Sequence, residues 1–214
     1  PYAQAGLRKS AQPLSSTLAL SMNEHRELLS AIEREFIQLR YRLAIFGQLF
    51  DSGQNSVDLL NKSGSNVFQL LQKLIIDDVM MSLCRLSDPP KSMGHENASL
   101  RNLISKLEQE LPSTSRGKID AKLTELTEHL GKITILRNKA LSHTDMTHAL
   151  NTEMLPRPTY DEIDGAIDSV ENILNEITGR VFDYSGAYLP TLPFGHDGNK
   201  LLGVLAKAHG YNAE

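Results

Sequence analysis

Leu28/Leu29, Ile32, Phe36, Leu39, Leu43, Phe46 and Phe50 recur at alternating steps of three and four residues. Steps of that kind bring side chains to one side only when the backbone makes a turn every 3.6 residues or so, so this stretch is committed to an α-helix. Glu33, Arg34, Glu35, Arg40 and Arg42 fall largely off the stripe, giving one side for packing and one for water. Ser21 and Glu24 have the spacing of a capping box and predict the helix start there, and DSGQNS at 51–56 ends it.

The same period runs through most of the chain. After VDLL and a second break at NKSGSN, the segment VFQLLQKLIIDDVMMSLCRL predicts a helix over 67–86. Val67, Leu71, Leu74, Val79, Leu83 and Leu86 are expected on its inward side. Asp88-Pro89-Pro90 stops it, because proline disfavours helical geometry in the residue before it. KSMGHEN reads as a loop. A compact amphipathic helix is predicted over 99–111 with Leu100, Leu103, Ile104, Leu107 and Leu111 on one side, and a longer one over 115–142 with Ile119, Leu123, Leu126, Leu130 and Ile133. Thr159 and Glu162 form another capping box, opening a last long helix lined by Ile163, Ile167, Val170, Leu174, Ile177 and Val181. Residues 185–196 read as extended or turn-like, and 198–208 as a small terminal helix.

No period-two run and no internal repeat stands out, so the expected fold is an all-α bundle of four to five main helices with a short irregular C-terminal extension. The expected organisation is a flexible N-terminal segment over 1–20, the bundle over 21–184 and the extension, with its short helix, over 185–214.

Composition narrows the function classes. The 214 residues are 40% hydrophobic and 22% charged, too apolar for a disordered chain and of a length suited to one domain. The lone Cys84 cannot form an internal disulfide and lies in an apolar run, which fits an inert core thiol and a reducing compartment. A net charge of −4 argues against a broad basic nucleic-acid surface, though not against a local one. No apolar run approaches the ~20 residues of a membrane span. The first residues, PYAQAGLRKS, carry no long apolar core and do not begin with Met, and they read as a processed or truncated end. A cytoplasmic protein with no membrane association is expected.

The stripe of the 115–142 helix carries the feature that bears on chemistry. Four residues beyond Ile133 it lands on Arg137, where the period asks for an apolar side chain. An isolated buried guanidinium is costly, so Arg137 must reach a carboxylate, a cleft or another chain. Asp78, on the 67–86 helix, is a candidate partner across the bundle. Six residues after Arg137 comes His143; the two converge more easily if the helix ends near Ser142 and His143 turns back from its C-terminal end. Local charge is uneven: Arg116, Lys118, Lys122, Lys132, Arg137 and Lys139 outnumber Asp120, Glu125 and Glu128 over 115–143, whereas acids dominate 151–186. Either an RNA-facing patch or two helix faces that attract each other would account for this.

Arg137-Asn138-Lys139-Ala140-Leu141-Ser142-His143 resembles the Arg-x(4–6)-His signature of the HEPN superfamily. FQLLQKLIIDDVMMSLCRLSDPP at 68–90 is similar to the second-helix region of its abortive-infection, AbiU-like branch, with an Arg-Leu-x-Asp phrase at its end. The resemblance covers roughly residues 25–185. It implies a metal-independent endoribonuclease of the toxin–antitoxin or phage-defence kind, in which two chains pair so that both Arg/His sets face one cleft. By that resemblance Arg137 stabilises the charge on phosphate, His143 transfers protons, and Asn138 orients the group. No cofactor and no metal are implied; the partners would be RNA and a second copy. An antitoxin is compatible with the resemblance, which does not identify one. Some HEPN toxins carry a tyrosine two residues after the histidine, where an antitoxin attaches AMP; here that position is Asp145.

Two other readings stay open on the sequence. One is a non-catalytic dimeric binding or regulatory protein of the same fold, and the other an unrelated helical scaffold. A metal site at His143, Asp145 and His148 lacks any recognised ligand framework. No phosphate-binding glycine loop, nucleophile elbow or reactive-cysteine arrangement is present, and with no Trp, six Tyr and six Phe a stacking platform for single-stranded RNA is not expected.

Overall fold

A computed structural model describes residues 16–141, 155–193 and 195–210, with side chains from Met22 onward. The chain is an all-α bundle. Its long helices are α1 (Ser16–Phe50), α2 (Gln54–Ser87), α4 (Ser113–His129) and α6 (Tyr160–Ile177). Shorter ones are α3 (Leu100–Lys106), α5 (Gly131–Leu136) and α7 (Gly198–Ala208). Two two-residue strands, β1 (Lys91–Ser92) and β2 (His95–Glu96), pair antiparallel within the stretch read as a loop.

α1 and α2 form an antiparallel hairpin turned at Gly53, whose φ of +103° a residue with a Cβ would adopt only under strain. The α1 stripe is buried as the periodicity requires: Leu29, Ile32, Phe36 and Leu39 are shielded from solvent together with Val79, Leu83 and Leu86 of α2. Leu100 and Leu103 of α3, Ile119 and Leu126 of α4, and Ile163, Val170, Leu174 and Ile177 of α6 close the core. Each such side chain removed from water contributes roughly 1.5–3 kcal/mol, which is what holds the helices together.

Several sequence expectations need correcting. α1 begins at Ser16 rather than at Ser21, so the Ser21/Glu24 spacing lies inside a helix. The break at NKSGSN is a kink: Gly64 leaves the helical region (φ 164°, ψ 69°) while its neighbours keep it, so VDLL and the following segment belong to one element. The 115–142 helix is interrupted at Leu130, which caps both α4 and α5, and α5 passes into a π-helical turn over Arg137–Leu141. On α2, Val79, Leu83 and Leu86 do face inward, but Val67, Leu71 and Leu74 are exposed, because no other described helix covers that side there.

The C-terminal part is tied to α1 at two points. The Tyr184 and Tyr188 hydroxyls both donate to Glu33 Oε1, at 2.7 and 2.9 Å, and the Tyr188 ring meets Phe36 edge-on. The Gln48 amide bonds to both Asp197 and the Gly198 N–H at the start of α7. The Thr159/Glu162 capping box of α6 forms as its spacing predicts.

The His129 ring of α4 lies against Gly165 of α6, where a Cβ would be 2.5 Å from it. Replacing a helical glycine by alanine gains up to about 1 kcal/mol of propensity, whereas overpacking costs about 1–3 kcal/mol. We therefore expect Gly165→Ala to lower Tm by several degrees in the parent and to raise it in a His129→Ala background. Denaturation of the four variants checks it; the same sign in both backgrounds would refute the contact.

Candidate functional site

Arg137 stands at the junction of α5 and the π turn, one helical step beyond the buried Ile133. Its guanidinium meets Asp88 through two parallel contacts, Nη1 to Oδ1 at 2.6 Å and Nη2 to Oδ2 at 3.3 Å. The geometry follows from the end of α2. Pro89 forces the residue before it out of the helix, and Asp88 sits at φ −53°, ψ 152°, closing α2 with its N–H on the Arg85 carbonyl. From that corner its carboxylate reaches the motif helix.

The pair is shielded but not sealed, with side chains 29% and 20% exposed. The hydrogen bonds that Arg137 donates to Asp88 raise the pKa of its guanidinium above the ordinary value, against the opposing effect of burial. A fork–fork pair fixes the plane of the guanidinium, and a planar cation with N–H groups to spare is suited to phosphate oxygens. Arg137 thus reaches a carboxylate, one of the outcomes its place on the apolar stripe demanded.

That carboxylate is not Asp78. Asp78 binds Arg42 Nε at 2.7 Å and lies ten residues earlier on α2, about 15 Å along the axis. Arg85 of the same Arg-Leu-x-Asp phrase turns the other way, to Glu35 at 2.6 Å and the Ser82 hydroxyl at 2.8 Å. The part of Asp88 could have been sought in the sequence, since a charged residue just before Pro-Pro, at the end of a core helix, is held away from the helix it terminates.

Asn138 follows Arg137 and is exposed. His143 lies outside the described residues, as do Asp145 and His148 of the metal alternative. Among the described residues no cluster of His, Cys, Asp or Glu could hold a metal ion.

The basic excess of this region is largely spent within the fold. Lys118 of α4 pairs with Glu176 of α6 at 3.5 Å and Lys132 of α5 with Glu162 of α6 at 2.8 Å, and Lys122 pairs with Glu125. The two helix faces do attract each other.

Cys84, one turn before Asp88 on α2, is buried within interacting distance of Arg137. Burial pushes its thiol up to about 11, although the Arg137 charge opposes this. Since the thiolate is the reactive form, we expect a maleimide at pH 8 to label the folded protein more than about 100-fold slower than a free thiol. Equal rates for folded and unfolded protein would overturn that placement of Cys84.

No described helix is long and apolar enough to cross a membrane. No curated protein and no solved structure gives a match. A family model described as AbiU2, of the HEPN type, matches residues 22–201, which takes in both the α2 phrase ending at Asp88 and the motif running from Arg137 to His143. With that match over most of its length, the chain belongs to the HEPN AbiU2 family, the abortive-infection branch of the HEPN superfamily.

Proposed function

We propose that this chain is a metal-independent endoribonuclease acting in abortive infection or as the toxin of a toxin–antitoxin pair. Arg137 binds the scissile phosphate and stabilises the charge that builds on it. His143 moves the proton of the 2′-hydroxyl or of the leaving oxygen, and Asn138 helps orient the group. Two copies of the chain face each other so that both Arg/His sets line one cleft. Residues 21–184 form the catalytic bundle and 185–214 an extension of it.

The observation that carries this reading is the state of Arg137. The side chain is neither buried as a core ion pair nor free in solvent: Asp88 holds its fork in a fixed plane at a partly open position. That arrangement keeps a phosphate-binding cation preorganised, so little conformational freedom is lost when the charged transition state forms. Family membership supports the same assignment.

The test is RNA cleavage by the purified protein in excess EDTA, beside the His143→Ala variant. Cleavage by the parent alone supports the enzyme. Equal behaviour of the two proteins, with no RNA cut, would leave the non-catalytic regulatory member of the fold in its place.

A further inference from the structure

Arg40, Arg42, Arg85 and Arg137 each reach from one element to a carboxylate on another: Glu171, Asp78, Glu35 and Asp88 in turn. Arg101, in the first turn of α3, also reaches across, but to neutral oxygens. Its Nε donates to the Ser87 carbonyl at 3.3 Å and its Nη2 to the Thr127 hydroxyl at 3.0 Å. Among the described residues no carboxylate pairs with it, and only two of its five N–H groups are used.

The place of this unanswered charge gives it a use. Ser87 and Asp88 are consecutive at the end of α2. Arg101 holds the first through its carbonyl, and Arg137 holds the second through its carboxylate. Bond lengths and these contacts keep Arg101 Nε and Arg137 Nη1 no more than about 12 Å apart. Thr127, the other anchor, stands just before the interruption at Leu130 that leads into the motif helix. Arg101 is thereby fixed at the same corner as the candidate site by elements outside the motif.

We propose that Arg101 binds a second backbone phosphate of the RNA strand whose scissile phosphate Arg137 takes. The assignment rests on the reading of Arg137 as a phosphate-binding group. A guanidinium held by neutral acceptors keeps its charge for an anion, and its remaining N–H groups offer the planar fork that fits phosphate oxygens. Nearby phosphates of one strand fall within the span of the two guanidinium groups. Contacts of this kind fix the register of a strand without reading its bases, so Arg101 sets position and not sequence preference. As a structural cap alone, it would only satisfy an orphan carbonyl at the end of α2. Glutamine can donate the same kind of bond without the charge, which separates the two roles.

The test is binding of a fluorescein-labelled single-stranded RNA of mixed sequence with 2′-O-methyl sugars, which block attack by the 2′-oxygen, read by anisotropy over a salt series. Arg101→Gln should weaken binding and reduce the slope of log affinity against log salt by about 0.7, the share of one phosphate on a single strand. Arg101→Lys, which keeps the charge, should restore the slope. On cleavable RNA, Arg101→Gln should raise KM more than it lowers kcat, as loss of uniform binding does. A glutamine variant that is folded by circular dichroism and keeps the parent's slope overturns the proposal. So does a slope lost equally in Arg101→Lys, which makes the arginine a structural anchor. If Arg101→Gln does not fold, phenylglyoxal modification of the parent decides: bound RNA should protect Arg101, and equal modification with and without RNA overturns the contact. The enzyme proposal fails separately. A parent that neither binds nor cuts RNA overturns both, whereas a parent that cuts RNA beside a glutamine variant unchanged in KM and slope overturns only the second contact.

Discussion

His143→Ala is expected to lower the rate of RNA cleavage by about 10²–10⁴, the range over which a positioned general acid or base ordinarily contributes. The parent reaction should be unchanged by EDTA and should leave 2′,3′-cyclic phosphate or 3′-phosphate ends. Both follow from the same chemistry. If the internal 2′-hydroxyl attacks the phosphorus, the bond to the 5′-oxygen breaks and the cyclic phosphate forms with no external nucleophile for a metal to activate. One proton leaves the 2′-oxygen and one reaches the departing oxygen. An imidazole, which titrates near neutrality, can serve at either point. The variant should keep the parent's helix content and Tm within a few degrees, because in the sequence His143 comes ten residues after Ile133, the buried residue of α5. Cleavage that EDTA abolishes and a divalent ion restores would shift the site to a metal held around His143, Asp145 and His148.

Arg137→Lys should cost about 10²–10³ in kcat/KM, the scale seen when one donor is removed from a charge-stabilising site. The substitution keeps a positive charge, and a lysine at 137 can still pair with Asp88. It removes the planar fork that grips Asp88 with two nitrogens while presenting its remaining N–H groups to phosphate. Two roles of the pair are thereby separated. If Arg137 were only a structural ion pair, the lysine variant would keep its activity, and the charge-reversed double variant Arg137→Asp/Asp88→Arg would be as good as the parent. If the fork acts on RNA, the double variant recovers much of its stability but none of its cleavage. Since the pair is partly solvated, its effect on stability should stay near 1 kcal/mol, well below its effect on rate. Steady-state kinetics and thermal unfolding on the parent and the two variants measure both.

The two largest errors in reading the helices from the sequence had one cause. Val67, Leu71 and Leu74 have the spacing of a buried stripe and were expected inward with Val79, Leu83 and Leu86, yet only the latter three meet the core. Periodicity reports that a face is apolar; it does not report what covers it. In the same way the unbroken period through Ile133 and Arg137 gave no sign of the interruption at Leu130 or of the π turn that follows. A helix that widens by one residue per turn shifts its stripe too little over five residues to be noticed.

The amino-acid order by itself determined the helical class, the C-terminal ends of α1 and α2 and the Thr159 cap. It also determined that Arg137, displaced onto an apolar stripe, needed a partner. These are local properties: step size, capping spacing and the cost of a lone guanidinium depend on a few neighbouring residues. Which carboxylate answers Arg137 depends on where the end of α2 lies against α5, forty-nine residues away in the chain. Only the tertiary structure decided for Asp88 over Asp78, because both acids stand on the same helix and differ by about 15 Å of rise that no spacing rule registers. It likewise decided that the basic residues of α4 and α5 are answered by the acids of α6, since opposite charges in one chain cancel only if packing brings them together.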